Sequence, residues 1–471
     1  MKINSSFLSA LMSVGGGSLV LTLGRTVTVL IATRFIEVSE LGVYFILIAA
    51  AGVMTSLAGC GTNISLVKYA VEEENHRNKI TLIISSILFF MVSLFVVVGF
   101  SLLINAQMRY VEMKPEYILL FLSFALFFYL NFALQGLKKF SSISIANSIN
   151  GITKIALTAL LIGYMGFGFT GLVWSIVISN LLGVLVQLKA ITQRVILNDV
   201  LIYNHKKIKD ILRFSAPIYI NQLYSNLYDR GYTILIAFML DPVAVAYYGV
   251  ATMVPQFINQ LRQVFNGVYF PKICEILNVN NTDKAKQLLV FSISLIFVTI
   301  AISSIMFYMF DELIIKLLFS IDYLTVSLAI FILLSRSALA FCSAIMGFTL
   351  VALGKNSVPL KINIFITTVS FALSYFTIPE YGYMAVVYVA FISSIMGFSL
   401  NAICLHYSGF PLVLNSSMWL SIAVFVMLVI AIATNAATLT PYLIVAFMLL
   451  AIYSLYKSNV YKALRGSFNY V

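Results

Sequence analysis

The chain has 471 residues, of which 61% are hydrophobic and only 10% are charged, and its mean hydropathy is +1.01. Soluble domains are about half apolar, so this composition excludes an ordinary soluble fold and predicts an integral membrane protein. Its apolar runs reach the roughly 20 residues that a helix needs to cross a bilayer, and the alternating pattern of a β-barrel is missing.

We expect an all-α protein with fourteen membrane helices, separated by charged or turn-rich breaks. In chain order the helices are predicted at 8–34, 41–67, 80–105, 117–137, 143–164, 170–188, 211–240, 243–270, 288–309, 325–353, 358–378, 382–406, 418–434 and 441–456. A single lysine precedes the first apolar run without a convincing cleavage site, which favours a retained first span.

The positions of the lysines and arginines predict the orientation. If the N-terminus, the even-numbered loops and the C-terminus share one side, that side holds 20 of the 29 basic residues and the other side holds four. Both termini should therefore be cytoplasmic. The net charge of +12 is mostly a signal of topology, so we expect no nucleic-acid partner, and the basic segment 189–213 is interpreted as a linker near anionic membrane lipids.

Two pairs of matching segments indicate an internal duplication. RTVTVLIA at Arg25–Ala32 returns as RGYTILIA at Arg230–Ala237, and GFTGLVWSIVISNLLG at Gly168–Gly183 matches GYMAVVYVAFISSIMG at Gly382–Gly397. Six helices per repeat give two parallel, pseudo-symmetric lobes with the substrate between them near the midplane. The predicted organisation is an N-lobe at 1–190, a cytoplasmic basic linker at 191–210, a C-lobe at 211–410, and helices 13 and 14 with a cytoplasmic tail at 411–471.

Basic side chains inside the predicted spans are the strongest functional signal. They are Arg25, Lys154, Arg230, Arg262 and Arg336. A charge at the bilayer centre costs about 2.5–3.5 kcal/mol or more, and only Asp229 is available within a span to oppose these cations. The surplus predicts a cationic cavity that binds an anion, with phosphate or pyrophosphate suited to the arginine fork.

The depth of these cations refines the prediction. All but Arg262 lie about 15 Å from the outer end of their helix and could form one ring, whereas Arg262 lies nearer the cytoplasmic end. The alternative is that some of them bond to helix-end carbonyls or extend to the interface.

Predicted helices seven and eight carry an unusual polar load. The candidates for sugar contact or gating are Asn221, Tyr224, Tyr228, Gln256, Asn259, Gln260 and Gln263. Amides and phenols suit a sugar, but amides also bond helices to one another. Asp229 is the candidate for coupling to a proton or sodium gradient, and Arg230 lies on the opposite face of the same helix. If the Asp229 face lines the cavity, the repeated arginine is structural, and the ring shrinks to Lys154 and Arg336, with the role of Arg25 left open.

Possible bending points accompany these polar helices. Gly16, Pro217 and Pro255 interrupt predicted helices one, seven and eight, and we expect them to be hinges for alternating access or, alternatively, static kinks.

Signatures of catalysis are missing from the sequence. There is no Walker A, HExxH or GxSxG motif, and the three histidines fall in or near loops. The four cysteines are scattered without a CxxC pair, so we expect no metal site, no cofactor and no enzymatic activity.

Two segments resemble a known family. SAPIYINQLYSNLYDRGYTILIAFMLDPVAVAYYGVATM at Ser215–Met253, followed by VFNGVYFPKICEI, and RFIEVSELGVYFILIAAAG at Arg34–Gly52 are similar to polysaccharide-repeat flippases of the O-antigen (Wzx) type. Ala246 stands where that family often has glycine. The resemblance implies the multidrug/oligosaccharidyl-lipid/polysaccharide exporter superfamily, with a MATE-like fold in the bacterial inner membrane.

The resemblance further implies flipping of undecaprenyl-pyrophosphate-linked sugar units for surface polysaccharide synthesis, with a polysaccharide polymerase and chain-length machinery as partners. The alternatives are a peptidoglycan-precursor (lipid II) flippase and an ion-coupled multidrug antiporter. The antiporter predicts several membrane carboxylates, whereas a non-transporting scaffold would leave the buried cations without a role.

Overall fold

A computed structural model describes residues 5–73, 76–105, 114–192, 215, 219, 230–279, 281–410, 416–436 and 438–457. These residues form helices and contain no strand. They divide into two compact units, Met1–Ala246 and Tyr247–Val471. The predicted all-α fold is therefore confirmed.

The first unit contains eight described helices and the first turn of a ninth. They are α1 (Ser5–Phe35), α2 (Val38–Gly59), α3 (Thr62–Glu72), α4 (His76–Asn105), α5 (Pro115–Gly136), α6 (Phe140–Thr158), α7 (Gly168–Thr192) and α8 (Arg230–Met239). A π-helical segment, Ala159–Tyr164, continues α6. Asp241 then caps the next helix, because its Oδ1 accepts a hydrogen bond of 2.8 Å from the Ala244 amide.

The second unit contains the remaining helices. They are α9 (Pro242–Asn278), whose first turn lies in the first unit, α10 (Thr282–Met309), α11 (Asp311–Leu318), α12 (Ser327–Ala352), α13 (Ser357–Tyr381), α14 (Tyr383–Tyr407), α15 (Ser416–Ala433) and α16 (Thr440–Lys457). A 3₁₀ turn, Ile321–Val326, leads into α12. The short α11 is stabilised by Lys316, which donates a hydrogen bond to Glu312 and holds the pKa of that carboxyl below its usual value.

Eleven helices of the described chain are long and apolar enough to cross a membrane. The protein is therefore a multi-pass membrane protein. Each of the fourteen predicted segments contains a helix in the structure, although segment 211–240 is described only at Ser215, Tyr219 and from Arg230 onward. The shorter helices α8 and α16 fall outside the eleven, as does α9, whose amides and charges lower its hydropathy.

Predicted helix two was wrong in one respect, because it is broken into α2 and α3. Cys60 and Gly61 adopt left-handed backbone conformations with φ of 46° and 71°, and these end α2 and begin α3. A Cβ on Gly61 would lie 2.7 Å from the Ser215 carbonyl oxygen. Close by, the hydroxyl oxygens of Ser65 and Ser215 are 2.6 Å apart. The break therefore forms a notch that receives Ser215.

The two hinge candidates that the structure describes lie in continuous helix. α1 runs through Gly16, and α9 runs through Pro255, without interruption. Pro217 lies outside the described residues. A hinge role for any of the three stays a prediction.

The two compact units have a boundary of their own within the chain. The division falls between Ala246 and Tyr247, whereas the sequence places the linker at 191–210. Most of that linker lies outside the described residues, so the lobe boundaries stay predictions. The described part of the chain from Arg230 to Ala246 belongs to the first unit.

Candidate anion-binding site

Close backbone packing of α1 against α6 sets the geometry of the site. A Cβ added at Gly17 would lie 2.6 Å from the Cα of Ser144, and one added at Gly24 would lie 2.6 Å from the Cα of Gly151. Both pairs are seven residues apart on their helices, so they lie two turns apart on one face. Small residues let membrane helices approach this closely.

This contact brings Arg25 close to Lys154. Arg25 follows Gly24 directly, and Lys154 lies one turn beyond Gly151 on α6. Lys154 is 6% exposed, and it interacts with Arg25 as a like charge. The Tyr44 side chain, from α2, lies within electrostatic reach of Arg25. Two of the predicted membrane cations are therefore neighbours.

Two phenylalanines of α5 connect Arg25 with Arg230, its counterpart in the repeat. The Arg25 guanidinium lies 5.3 Å from the centre of the Phe128 ring, and the Arg230 guanidinium lies 5.8 Å from that of Phe124. The two ring centres are 4.7 Å apart. Cations over aromatic faces at this range are attracted by the ring quadrupole. We call Arg25, Lys154, Arg230, Phe124 and Phe128 the cationic cluster.

Arg230 is also tied to the backbone of α2. Its Nη1 donates a hydrogen bond of 2.8 Å to the carbonyl oxygen of Ile48. A Cβ on Gly52 would lie 1.5 Å from the same nitrogen, so only glycine leaves room for the guanidinium. Arg230 thus joins α8 to α2. Bonds to helix-end carbonyls were one predicted alternative for these cations, whereas the carbonyl of Ile48 lies in the middle of α2.

The buried face of α6 carries further polar residues near the cationic cluster. Asn150 donates a hydrogen bond of 2.9 Å to Asn180 of α7, and Thr158 donates one of 3.0 Å to Ser175. Asn150, Lys154 and Thr158 are spaced four residues apart and share this face. Asn150 and Thr158 therefore hold α6 against α7, and Lys154 lies between them on the same face.

In the described spans, the acidic residues lie at a different depth from Arg25 and Lys154. Every acidic residue in these spans lies within the first or last turn of its helix, as Glu40 of α2 and Glu380 of α13 do. Arg25 and Lys154 lie about 15 Å from the helix ends Phe35 and Tyr164. A positive site at this depth with acids only at its ends attracts anions and repels cations.

The remaining predicted cations belong to the second unit. Arg336 lies within α12, nine residues from its start at Ser327, and is partly buried. Arg262 is also partly buried; because α9 extends to Asn278, it lies nearer the middle of its helix than the sequence suggested. The predicted ring would draw on both units and stays a prediction.

The candidates for sugar contact are described only in part. On α9, Gln256 and Gln263 are exposed on the surface of the second unit, and Asn259 and Gln260 are partly exposed. The remaining candidates, Asn221, Tyr224, Tyr228 and the ion-coupling candidate Asp229, lie outside the described residues. Their roles stay predictions.

Sequence reasoning did not find the aromatic half of the cluster. Phe124 and Phe128 lie one turn apart within the run FALFF of α5, and Tyr44 lies within the family-like segment. Pairs of phenylalanines at helical spacing are common in apolar helices. Only the positions of the two arginines in the structure distinguish this pair from the others. The seven-residue spacing of Gly17 and Gly24 was the available signal for the α1–α6 contact.

Comparison with solved structures identifies the fold. An inward-facing multidrug-resistance MATE transporter of the MOP superfamily matches with a TM-score of 0.67 and 15% identity, over 85% of this chain and 99% of that chain. A Vibrio cholerae MATE transporter matches with a TM-score of 0.53 and 14% identity, over 85% and 96%. The fold is therefore that of the MATE-type transporters.

The family follows from the sequence. The chain belongs to the polysaccharide biosynthesis protein family, which matches residues 11–277. A further structure with this fold is a MOP-superfamily transporter from Pyrococcus furiosus, described as having a binding pocket of reverse polarity; its TM-score is 0.53 at 14% identity, over 85% of this chain and 97% of that one. Comparison with curated protein sequences gives no match.

Proposed function

We propose that the protein flips undecaprenyl-pyrophosphate-linked oligosaccharide repeat units across the bacterial inner membrane, for O-antigen or another surface polysaccharide. The cationic cluster is the observation that carries this proposal. Three basic side chains deep in the first unit, with acids of the described spans confined to helix ends, suit a polyanionic head group. Membership of the polysaccharide biosynthesis family supports the saccharide part of the cargo.

The cluster would receive the pyrophosphate as it leaves the aqueous phase. Arg25 offers a planar fork for two parallel hydrogen bonds, and Lys154 adds a point charge beside it. Hydrogen bonds to charged groups contribute about 1.5–3 kcal/mol each. Binding the anion would also relieve the electrostatic repulsion between Arg25 and Lys154. The occupied site would therefore have a lower electrostatic energy than the empty site.

The rest of the cycle follows by alternating access between the two lobes. The polyprenyl tail would stay in the bilayer, while the sugars contact the polar faces predicted on helices seven and eight. With both termini in the cytoplasm, substrate enters from the face where it is made. The product would pass to a polysaccharide polymerase and its chain-length machinery.

Coupling to a proton or sodium gradient is assigned to Asp229. Asp229→Asn removes the one carboxylate that the sequence places well inside a span. We expect this variant to bind substrate while its transport no longer responds to the gradient. Transport with an unchanged response would make Asp229 a structural residue.

The proposal is tested in cells with charge-removing variants of α1 and α6. In Arg25→Gln, Lys154→Gln and the double variant, lipid-linked repeat units should accumulate on the cytoplasmic face while surface polysaccharide falls. Arg34→Gln is the matched control, since it removes an arginine from the exposed end of the same α1. Normal surface polysaccharide in the double variant, at normal protein level, would refute a role of the cluster in recognising pyrophosphate.

Two alternative functions differ from the proposed one in the substrate that is transported. A lipid II flippase would use the same pyrophosphate chemistry, and it would rescue cells depleted of their own peptidoglycan-precursor flippase. A cation-coupled drug antiporter needs carboxylates at the membrane centre, and it would confer resistance to cationic drugs. We expect neither rescue nor resistance.

A further inference from the structure

A row of five tyrosines lies at one end of the second unit. Its members are Tyr323, Tyr247, Tyr383, Tyr388 and Tyr381. The ring centre of Tyr247 is 6.1 Å from that of Tyr323 and 5.8 Å from that of Tyr383. Tyr388 lies within electrostatic reach of Tyr383, and its ring centre is 6.4 Å from that of Tyr381. We call this set the tyrosine row.

The tyrosine row joins helix ends that come together at one end of the unit. Tyr247 lies in the second turn of α9, Tyr323 precedes α12, and Tyr381 and Tyr383 flank the junction of α13 and α14. The basic residues predict that this end faces outward. Tyr323 and Tyr247 contact each other inside the unit, so an aromatic belt toward lipid does not account for the whole row.

The Tyr323 hydroxyl adds an independent observation. The side chain is 1% exposed, and its hydroxyl has no hydrogen-bond partner among the described residues. Buried polar groups are normally hydrogen-bonded, so this phenol requires a water or a ligand hydroxyl. The row therefore ends at an unused hydrogen-bonding group.

An apolar crevice lies at the other end of the tyrosine row, beside Tyr381 and Tyr388. Its volume is about 470 Å³, within the range of small-molecule sites. Tyr381 and Tyr388 line it, together with aliphatic residues that include Ile332, Ile392 and Ile430. None of the described lining residues carries a charge.

Polarity changes along the crevice in one direction. Tyr381 ends α13 and Thr434 directly follows α15, whereas Ile392 lies nine residues into α14, about 13 Å deeper at helical rise. The hydroxyls of Tyr381 and Thr434 therefore lie at the helix ends, and the aliphatic Ile392 lies deeper. This order matches an amphiphile with its chain in the membrane and its polar part at the surface.

We propose that the crevice and the tyrosine row together bind the flipped glycolipid after it reaches the outer leaflet. The hydrocarbon chain would occupy the crevice, and the saccharide would lie along the accessible phenols of the row. Tyrosine offers an apolar face and a hydroxyl, the two groups that recognise a sugar. This inference rests on the proposed function, because it takes the cargo to be a lipid-linked saccharide.

The phenols beyond the crevice favour a glycolipid over a phospholipid. None of the described lining residues is a lysine or arginine, so the crevice offers no charged partner to the phosphate of either lipid. A saccharide instead uses the phenols that continue beyond the crevice. The pyrophosphate, held by the cationic cluster during the crossing, would remain in the water here, which favours release.

The test uses the full-length protein in nanodiscs and two photoactivatable probes of equal chain length. One is an alkyl maltoside and the other an alkyl phosphocholine, each with a diazirine on the chain. Mass spectrometry then locates the labelled residues. We expect the maltoside to label α14 and α15 at the crevice, with unlabelled lipid-linked saccharide competing and free phospholipid competing weakly.

Variants distinguish the binding of the hydrocarbon chain from the binding of the sugar. Ala433→Phe fills the crevice and should abolish labelling there by the maltoside. Tyr383→Phe and Tyr388→Phe keep the ring and remove the hydroxyl, and each should lower maltoside labelling about fivefold without changing phosphocholine labelling. Tyr375→Phe is the control, a tyrosine of α13 outside the row.

Equal labelling by both probes, unchanged by the two tyrosine variants, would overturn the inference and leave an ordinary lipid crevice. This failure is distinct from failure of the proposed function. Labelling needs no flipping, so Arg25→Gln should label normally even though it does not flip. Intact flipping with no labelling of the crevice would refute only the outer site.

Discussion

At the scale of single residues, the two arginines of the repeat have different surroundings. Arg25 stacks on Phe128 beside Lys154, whereas Arg230 donates a hydrogen bond to the Ile48 carbonyl across the space left by Gly52. The repeat predicted equivalent depths for the two arginines and left open that Arg230 is structural. The structure assigns an interhelical bond to Arg230 and leaves Arg25 as the better candidate for the ligand.

This difference predicts opposite phenotypes for Arg25→Gln and Arg230→Gln. Loss of the Arg230 bond should lower the stability of the protein by about 1.5–3 kcal/mol, seen as a lower melting temperature in detergent. Arg25→Gln should melt like the wild type and fail to bind a polyprenyl pyrophosphate. Equal losses of stability in both variants would mean that Arg25 is structural too.

Lys154 offers a test of whether the cluster carries uncompensated charge. A buried ammonium beside another cation is costly, and replacing such a charge with an apolar residue of similar volume is often stabilising. We expect Lys154→Met to raise the melting temperature of the empty protein while weakening pyrophosphate binding. Lys189→Met, at the end of α7, should change neither. A lower melting temperature in Lys154→Met would show that the lysine has a stabilising partner.

At the scale of helices, the apolar pattern was sufficient to locate the elements and insufficient to show their details. Each predicted segment contains a helix, yet the break at Cys60 and Gly61 was missed because left-handed backbone does not change hydropathy. The five cations inside the predicted spans could be read from the sequence. The sequence could not show which of these cations lie next to each other, because that depends on the backbone contact between Gly24 and Gly151.

Two glycines of α1 provide a matched pair for this contact. A Cβ at Gly24 would meet the backbone of α6, whereas one at Gly16 has nothing within 4 Å. Gly24→Ala should therefore lower the melting temperature, since overpacking costs about 1–3 kcal/mol, while Gly16→Ala should be neutral or stabilising because alanine favours helix. If Gly16→Ala is stable but transports poorly, the hinge role predicted for Gly16 gains support. Equal stability of the two variants would contradict the close contact.

The α2–α3 break provides a second pair. Gly61 has a left-handed φ and faces the Ser215 carbonyl, whereas Gly59 lies in helix with open space around it. Gly61→Ala should destabilise the protein by about 1–2 kcal/mol or more, and Gly59→Ala should not. Thermal unfolding of both variants would measure the difference. A harmless Gly61→Ala would exclude the notch.

At the scale of the whole molecule, duplication and composition predicted the class of protein. The all-helical fold, the eleven spans of the described chain and the MATE-type neighbours all agree with the predicted multi-pass membrane fold. Family membership places the chain among the polysaccharide biosynthesis proteins. The cargo itself depends on side chains, since the same fold is shared by multidrug transporters.

The most direct test reconstitutes the purified protein in vesicles with a fluorescent polyprenyl-pyrophosphate saccharide. A membrane-impermeant quencher would measure how fast the probe changes leaflet. We expect rapid flipping by the wild type and by Arg34→Gln, little by the Arg25→Gln, Lys154→Gln double variant, and none of a phosphate-free analogue. Flipping by the double variant at the wild-type rate, or equal flipping of the phosphate-free analogue, would contradict pyrophosphate recognition by the cationic cluster.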